Sequence, residues 1–162
     1  MPGQQPAVTD SEGRRFACFP VAVLVFIVDE AERILFLSHP EQRDAWQIVK
    51  GALEAGETIL EGALRETREE VGPDVQVRPL GTVHASTAQD SDARAIGLFY
   101  LMAYEGGQIQ PGDDMRGSQF RWWNLKELET ESVEIVVPSE KWIVERAVEL
   151  YRLWKEQNKR VV

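Results

Sequence analysis

Six glutamates crowd residues 51–72: Glu54, Glu57, Glu61, Glu66, Glu69 and Glu70, offset there only by Arg65 and Arg68. The segment therefore carries a net charge of −4 in a chain whose total is −9. At about 100° per residue in a helix, Glu66, Glu69 and Glu70 share an arc of about 100°. That arc lies nearly opposite Leu60, Leu64, Thr67 and Val71. Like charges at i,i+3 and i,i+4 repel by a few tenths of a kcal/mol per pair. A hard divalent cation turns that repulsion into chelation, since Mg²⁺ or Mn²⁺ takes carboxylate oxygens, waters and phosphates as ligands. Such an ion also activates water and neutralises phosphate charge. The ordinary alternative is a solvated acidic helix face.

The elements around these acids can be read from the same sequence. Thr58 followed by Glu61 forms a capping box. Leu60, Ala63, Leu64, Thr67 and Val71 then recur at helical spacing. Gly72 suits the closing position and Pro73 cannot continue the helix. Upstream, residues 16–28 read as a buried strand with Pro20 near its start, residues 34–37 as its hairpin partner, and 46–49 as a third strand. Downstream, strands are expected over 75–88, 94–104 and 119–124, with a tight turn at Gly106-Gly107 and a polar loop over 111–118. Residues 133–137 are apolar and Pro138 ends them. Ser139 is positioned to cap a final helix to about residue 157, with Ile143, Ala147, Leu150 and Trp154 buried. This order predicts an α/β domain with helices packed on a mixed sheet.

A length of 162 residues fits one domain. Residues 1–15, with Pro2, Gly3, Pro6 and Gly13, read as a flexible N-terminal arm, which leaves 16–162 as the folded unit. The net charge of −9 argues against a nucleic-acid polymer or an anionic membrane surface as partner. Cys18, the single cysteine, excludes a disulfide framework and reads as a small core residue. The apolar run over 21–28 is too short to span a bilayer, and residues 1–15 lack the apolar centre of a secretory signal. A soluble cytoplasmic protein is expected.

The spacing Gly51, five residues, Glu57, seven residues, Arg65-Glu66, two residues, Glu69-Glu70, Val71, Gly72 resembles the Nudix box of the Nudix hydrolase family. All seven of the box's fixed residue types are present, and a chance match at one starting point is on the order of 10⁻⁸. Thr67 stands at one apolar position of that pattern, and Pro73 departs from another. The stretch from Trp46 to Gly51 also resembles the approach to the box, with Val49 where a proline is usual. The resemblance implies a Nudix-like α/β/α sandwich with a mixed β-sheet.

It further implies roles. Glu66, Glu69 and Glu70 would bind Mg²⁺ or Mn²⁺ with the carbonyl of Gly51, while Glu57 and Arg65 would pair to fix the loop against the helix. The general base is Glu69 first and Glu66 second, with Asp113 or Asp114 of a later loop as further options. Lys50 resembles a phosphate-binding lysine, and Trp46 is either a wall residue or a substrate contact. The implied reaction hydrolyses a diphosphate bond in a nucleoside diphosphate joined to another group. Nucleoside triphosphates or dinucleoside polyphosphates are favoured as substrates. ADP-ribose and nucleotide sugars, or a non-catalytic nucleotide-binding domain, are the alternatives. The oligomeric state is open, with a homodimer among the options. His39 and His84 read as surface or strand residues, and Trp142 and Trp154 as helix packing. Trp122 and Trp123 must point to opposite faces of their strand, one into the core and the other free to stack on a base.

Overall fold

Residues 21–28 are apolar at every position, so this strand must be covered on both faces. Val23, Val25 and Ile27 join one buried cluster and Leu24, Phe26 and Val28 another, which divides the molecule into two cores on either side of a sheet. The computed structural model describes residues 6–90 and 93–159. In chain order the strands and helices are β1 (Ala7–Thr9), β2 (Arg15–Ala17), β3 (Val21–Val28), β4 (Ile34–Ser38), β5 (Ala45–Gln47) and β6 (Val49–Ala52). They continue with α1 (Ile59–Val71), β7 (Gln76–Asp90), β8 (Ala93–Gly106), β9 (Phe120–Trp123), α2 (Leu125–Thr130), β10 (Glu134–Val137) and α3 (Lys141–Lys159). A short 3₁₀ turn, Asp113–Met115, precedes β9.

The main sheet has the path β10-β5-β4-β3-β8-β7, with β6 paired to β3 and β9 to β4. It is mixed, as expected: β3 runs parallel to β8 and β10 parallel to β5, while the other pairings are antiparallel. Ala63 and Val71 of α1 close the core on one face. Ile143, Val144, Ala147, Val148 and Tyr151 of α3 close the other. The result is the expected α/β/α sandwich. No helix among the described residues is long and apolar enough to cross a membrane.

Both ends of α1 follow the sequence. The Thr58 hydroxyl accepts the Glu61 N–H at 3.2 Å, and the Glu61 carboxylate accepts the Thr58 N–H at 2.8 Å. Gly72 closes the helix at φ 135°, a value that a side chain would strain. Elsewhere the chain differs from the expectation. The strand expected over 16–28 begins at Val21, because residues 15–17 pair with 7–9 as a separate small hairpin. Part of the expected arm therefore has strand structure, while residues 1–5 lie outside the described residues. Cys18 belongs to this exposed segment and not to the core, its N–H donating to the Pro6 carbonyl.

The strand expected over 46–49 is two strands, since Ile48 turns its N–H to the Val137 carbonyl of β10. Helix α2 was not expected, although Asn124 and Glu127 make a capping box like that of α1. Helix α3 starts at Lys141, beyond the expected cap Ser139, whose hydroxyl donates to the Glu140 carboxylate instead.

The capping box of α1 generates a stability prediction. Thr58→Ala should lower the unfolding free energy by about 1 kcal/mol in urea titrations. No change in the midpoint would show that packing alone holds this end of the helix.

Candidate active site

Gly51 lies in β6, opposite Val23 of β3, and α1 crosses above it. A methyl group at Gly51 would overlap the carboxylate of Glu66, so the glycine is what lets that acid press against the strand. One helical turn later, Glu70 accepts the backbone N–H of Lys50 at 3.2 Å. Both acids are buried, Glu66 being 9% and Glu70 6% exposed. Gly62 performs a similar service on the helix. A methyl there would meet Leu53 Cδ1 at 2.6 Å and Glu57 Oε2 at 3.3 Å. The sequence did carry a signal for Gly62: a mid-helix glycine costs about 1 kcal/mol against alanine, which asks for a packing reason.

Arg65 organises the charges. Its Nε and Nη2 donate to the two Glu57 oxygens at 2.6 and 3.0 Å, the paired fork expected from the sequence. Nη2 also donates to the Ala52 carbonyl at 2.9 Å, tying helix to strand. Nη1 donates to Glu66 at 2.6 Å and to Glu69 at 3.1 Å. One guanidinium thus touches three of the glutamates, a convergence that linear spacing does not reveal.

These contacts set the acidities. Hydrogen bonds from Arg65, then from the Glu54 N–H, hold the Glu57 carboxyl down at about 2. Glu66 is pushed up, chiefly by burial, against the opposing pull of Arg65. Glu70 is pushed up to about 8, again chiefly by burial, with the charges of Glu66, Asp114 and Glu69 adding to it. The Asp113–Met115 turn packs on this end of α1: Gly112 donates its N–H to the Glu70 carbonyl, and Met115 is buried in the same core. A methyl at Gly112 would come within 2.8 Å of the Glu69 carbonyl, so that glycine is a further close approach. Asp114 is therefore near enough to act electrostatically on the site.

The donor set suits a hard divalent cation: buried carboxylate oxygens whose mutual charge is costly, gathered where only a glycine leaves room. Among the described residues, no three His, Cys, Asp or Glu side chains converge as they stand closely enough to enclose an ion. Glu66 and Glu69 are turned onto Arg65. A cation would have to compete with that guanidinium for both.

On the opposite face of the sheet, a cavity of about 290 Å³ is lined by Ala22, Leu24, Lys50, Gly97, Phe99 and Pro138, among others. Lys50 therefore bridges the two faces, with its backbone on Glu70 and its side chain at the cavity. Trp46 does not line it. Its ring is 8% exposed and meets Trp123 edge-on at 4.8 Å, because β5 turns it into the core beneath α3. Trp122 and Trp123 do point to opposite faces, Trp123 into the α3 core and Trp122 against Tyr104 at 5.0 Å. A wider groove of about 950 Å³ lies beyond the far ends of β3 and β8. Its charged groups include the pairs Arg33–Asp29 and Arg78–Glu105, and the carboxylates of α1 do not reach it.

The sequence model of the NUDIX domain matches residues 19–144. The chain is 26% identical over 113 residues to an ADP-ribose pyrophosphatase of Methanocaldococcus jannaschii, covering 68% of this chain and 67% of that protein. It is 42% identical over 62 residues to the dihydroneopterin triphosphate diphosphatase of Escherichia coli, covering 38% of this chain and 41% of that protein. The match thus spans well under half the length of that second relative. Among solved structures, a NUDIX-family hydrolase from Clostridium perfringens superposes with a TM-score of 0.65 at 19% identity, covering 83% of this chain and 97% of the other. A UDP-X diphosphatase superposes with a TM-score of 0.67 at 18% identity, covering 85% and 64%. At these identities the structures speak for the fold.

The burial of Glu70 predicts a pH dependence for the metal-free protein. Its carboxyl titrates near 4.5 when unfolded and near 8 when folded. Between those values the folded state holds a proton that the unfolded state has released. Its contribution to stability is thus complete below the lower value and lost as pH rises toward the upper one. Melting temperatures measured in EDTA should fall across this window, and less steeply in Glu70→Gln. Equal slopes in the two proteins would contradict the assignment.

Proposed function

The chain belongs to the NUDIX domain family, and on that premise we propose that it hydrolyses a diphosphate bond in a nucleoside diphosphate joined to another group, using Mg²⁺ or Mn²⁺. Nucleoside triphosphates or dinucleoside polyphosphates are the substrates of first choice. The observation that carries this reading is the pair of buried acids, Glu66 and Glu70, pressed on Gly51 and Lys50 with a nucleoside-sized cavity across the strand. Glu66, Glu69, Glu70 and the Gly51 carbonyl would hold the ion. When bound, it supplies charge neutralisation on the phosphates and a more acidic water.

The protein's own residues divide the remaining work. Glu57 and Arg65 keep the loop after β6 fixed to α1, so the carbonyl and carboxylate oxygens stay at one place. Glu69 is the least buried of the three expected ligands, its side chain 39% exposed against 11% for Glu66. That exposure suits it to accept the proton of the attacking water, with Glu66 as second choice and Asp114 close by. Lys50, which lines the cavity, would meet a phosphate oxygen of the substrate. Trp46 acts as core packing beneath this arrangement.

A second reading, ADP-ribose or a nucleotide sugar as substrate, is favoured by the M. jannaschii relative, whose match extends over more of the chain than that of the E. coli diphosphatase. All three carboxylates are retained, which speaks against a binding domain without catalysis.

The test is product release from a panel of nucleoside triphosphates, dinucleoside polyphosphates, ADP-ribose and nucleotide sugars, with Mg²⁺, Mn²⁺ or EDTA. Cleavage of one group should require the cation. Glu69→Gln and Glu70→Gln should each lose about a hundredfold or more in kcat while still folding. Full activity in both variants would remove these residues from the reaction.

A further inference from the structure

Trp142 stands in the first turn of α3 and is 47% exposed, although its place on the helix reads as packing. Its ring meets His84 edge-on, with centroids 4.7 Å apart at 78°. His84 in turn lies tilted on Phe99 at 6.1 Å, and Phe99 stacks on Phe26 in the core at 6.0 Å. The exposed indole is therefore the outer end of an aromatic series anchored inside the protein.

The register places this series beside the cavity that holds Lys50. His84 pairs with Phe99 across β7 and β8, and Ser86 with Gly97, so the four share one face. Phe99, Gly97 and Ser86 line the cavity, as do Ser139 and Glu140 just ahead of Trp142. A large aromatic left half in water next to a cavity lined by both apolar and polar groups, Lys50 among them, is poorly explained by packing alone. The faces of an exposed indole stack on heteroaromatic bases with little regard to sequence.

We propose that Trp142, propped on His84, is the platform on which the nucleobase of the substrate stacks, a specificity role separate from the chemistry at α1. This rests on the functional reading above. His84 is a positioning residue in this arrangement, since it holds the indole and lies behind it.

Two measurements test it. In steady-state kinetics on the best nucleotide of the panel, Trp142→Ala should raise KM roughly tenfold with kcat nearly unchanged, and Trp142→Phe should recover most of the loss. An unchanged KM, or a loss confined to kcat, would overturn the platform. In the second measurement, AMP, GMP, CMP and UMP are titrated against tryptophan fluorescence. At least one should quench the wild type and leave Trp142→Phe unquenched; no quenching, or equal quenching in both, would overturn it. The fluorescence result stands even if Trp142→Ala fails to fold. It also separates the two ideas: a wild type that cleaves no nucleotide refutes the functional reading, while quenching that depends on Trp142 still locates the base.

Discussion

A single guanidinium holds the charged half of this molecule together. Arg65 reaches Glu57, Glu66 and Glu69 with its three nitrogens and the Ala52 carbonyl besides. Without it, the glutamates would face one another across a loop and a helix with no cation between them to offset their charge. The fork geometry matters: an ammonium cannot pair in parallel with both oxygens of one carboxylate, whereas a planar guanidinium clasps Glu57 with two donors and still offers a third edge. The glycines follow from this constraint. Gly62 lets the helix sit close enough for Glu57 to be reached, and Gly51 leaves space for Glu66 once the helix is there.

The sheet then separates two kinds of environment. Alternation along β3 sends Val23, Val25 and Ile27 toward α1 and Leu24, Phe26 and Val28 toward α3. Charge is concentrated at one end of the α1 face, while the cavity opens on the α3 face. Lys50 serves both, because a strand residue can offer its backbone to a carboxylate and its side chain to the opposite side. A substrate with an anionic middle and an apolar ring fits such a division.

Local rules made part of this legible in advance. The boundaries of α1 were readable because Thr58, Glu61 and Gly72 act within a turn of where they stand. The opposed faces of Trp122 and Trp123 followed from strand geometry alone. What could not be read depended on which elements cover which faces. Trp46, which read equally well as a wall residue or a substrate contact, sits on a strand whose face is sealed by α3, while Trp142, which read as helix packing, stands on a helix face left partly open. The hold of Arg65 on Glu66 and Glu69 was hidden for a related reason. Its rotamer is chosen by Glu57 and by the Ala52 carbonyl, and the latter belongs to another element. Helix α2 was different: its Asn124–Glu127 box stands in the sequence, but the helix it opens is only six residues long, too short to show an apolar periodicity.

The buried pair Glu66 and Glu70 is costly to the fold when no cation is present, since burial pushes both pKa values up and Arg65 touches only one of the two. Such a pair, kept against a glycine, is what the proposed cation would relieve. The most direct test is calorimetric titration of the protein with Mn²⁺, beside Glu66→Gln under the same conditions. Saturable binding in the wild type, weakened at least about tenfold in the variant, is the expected result. No saturable binding in the wild type, or equal affinity in the two proteins, would contradict the account.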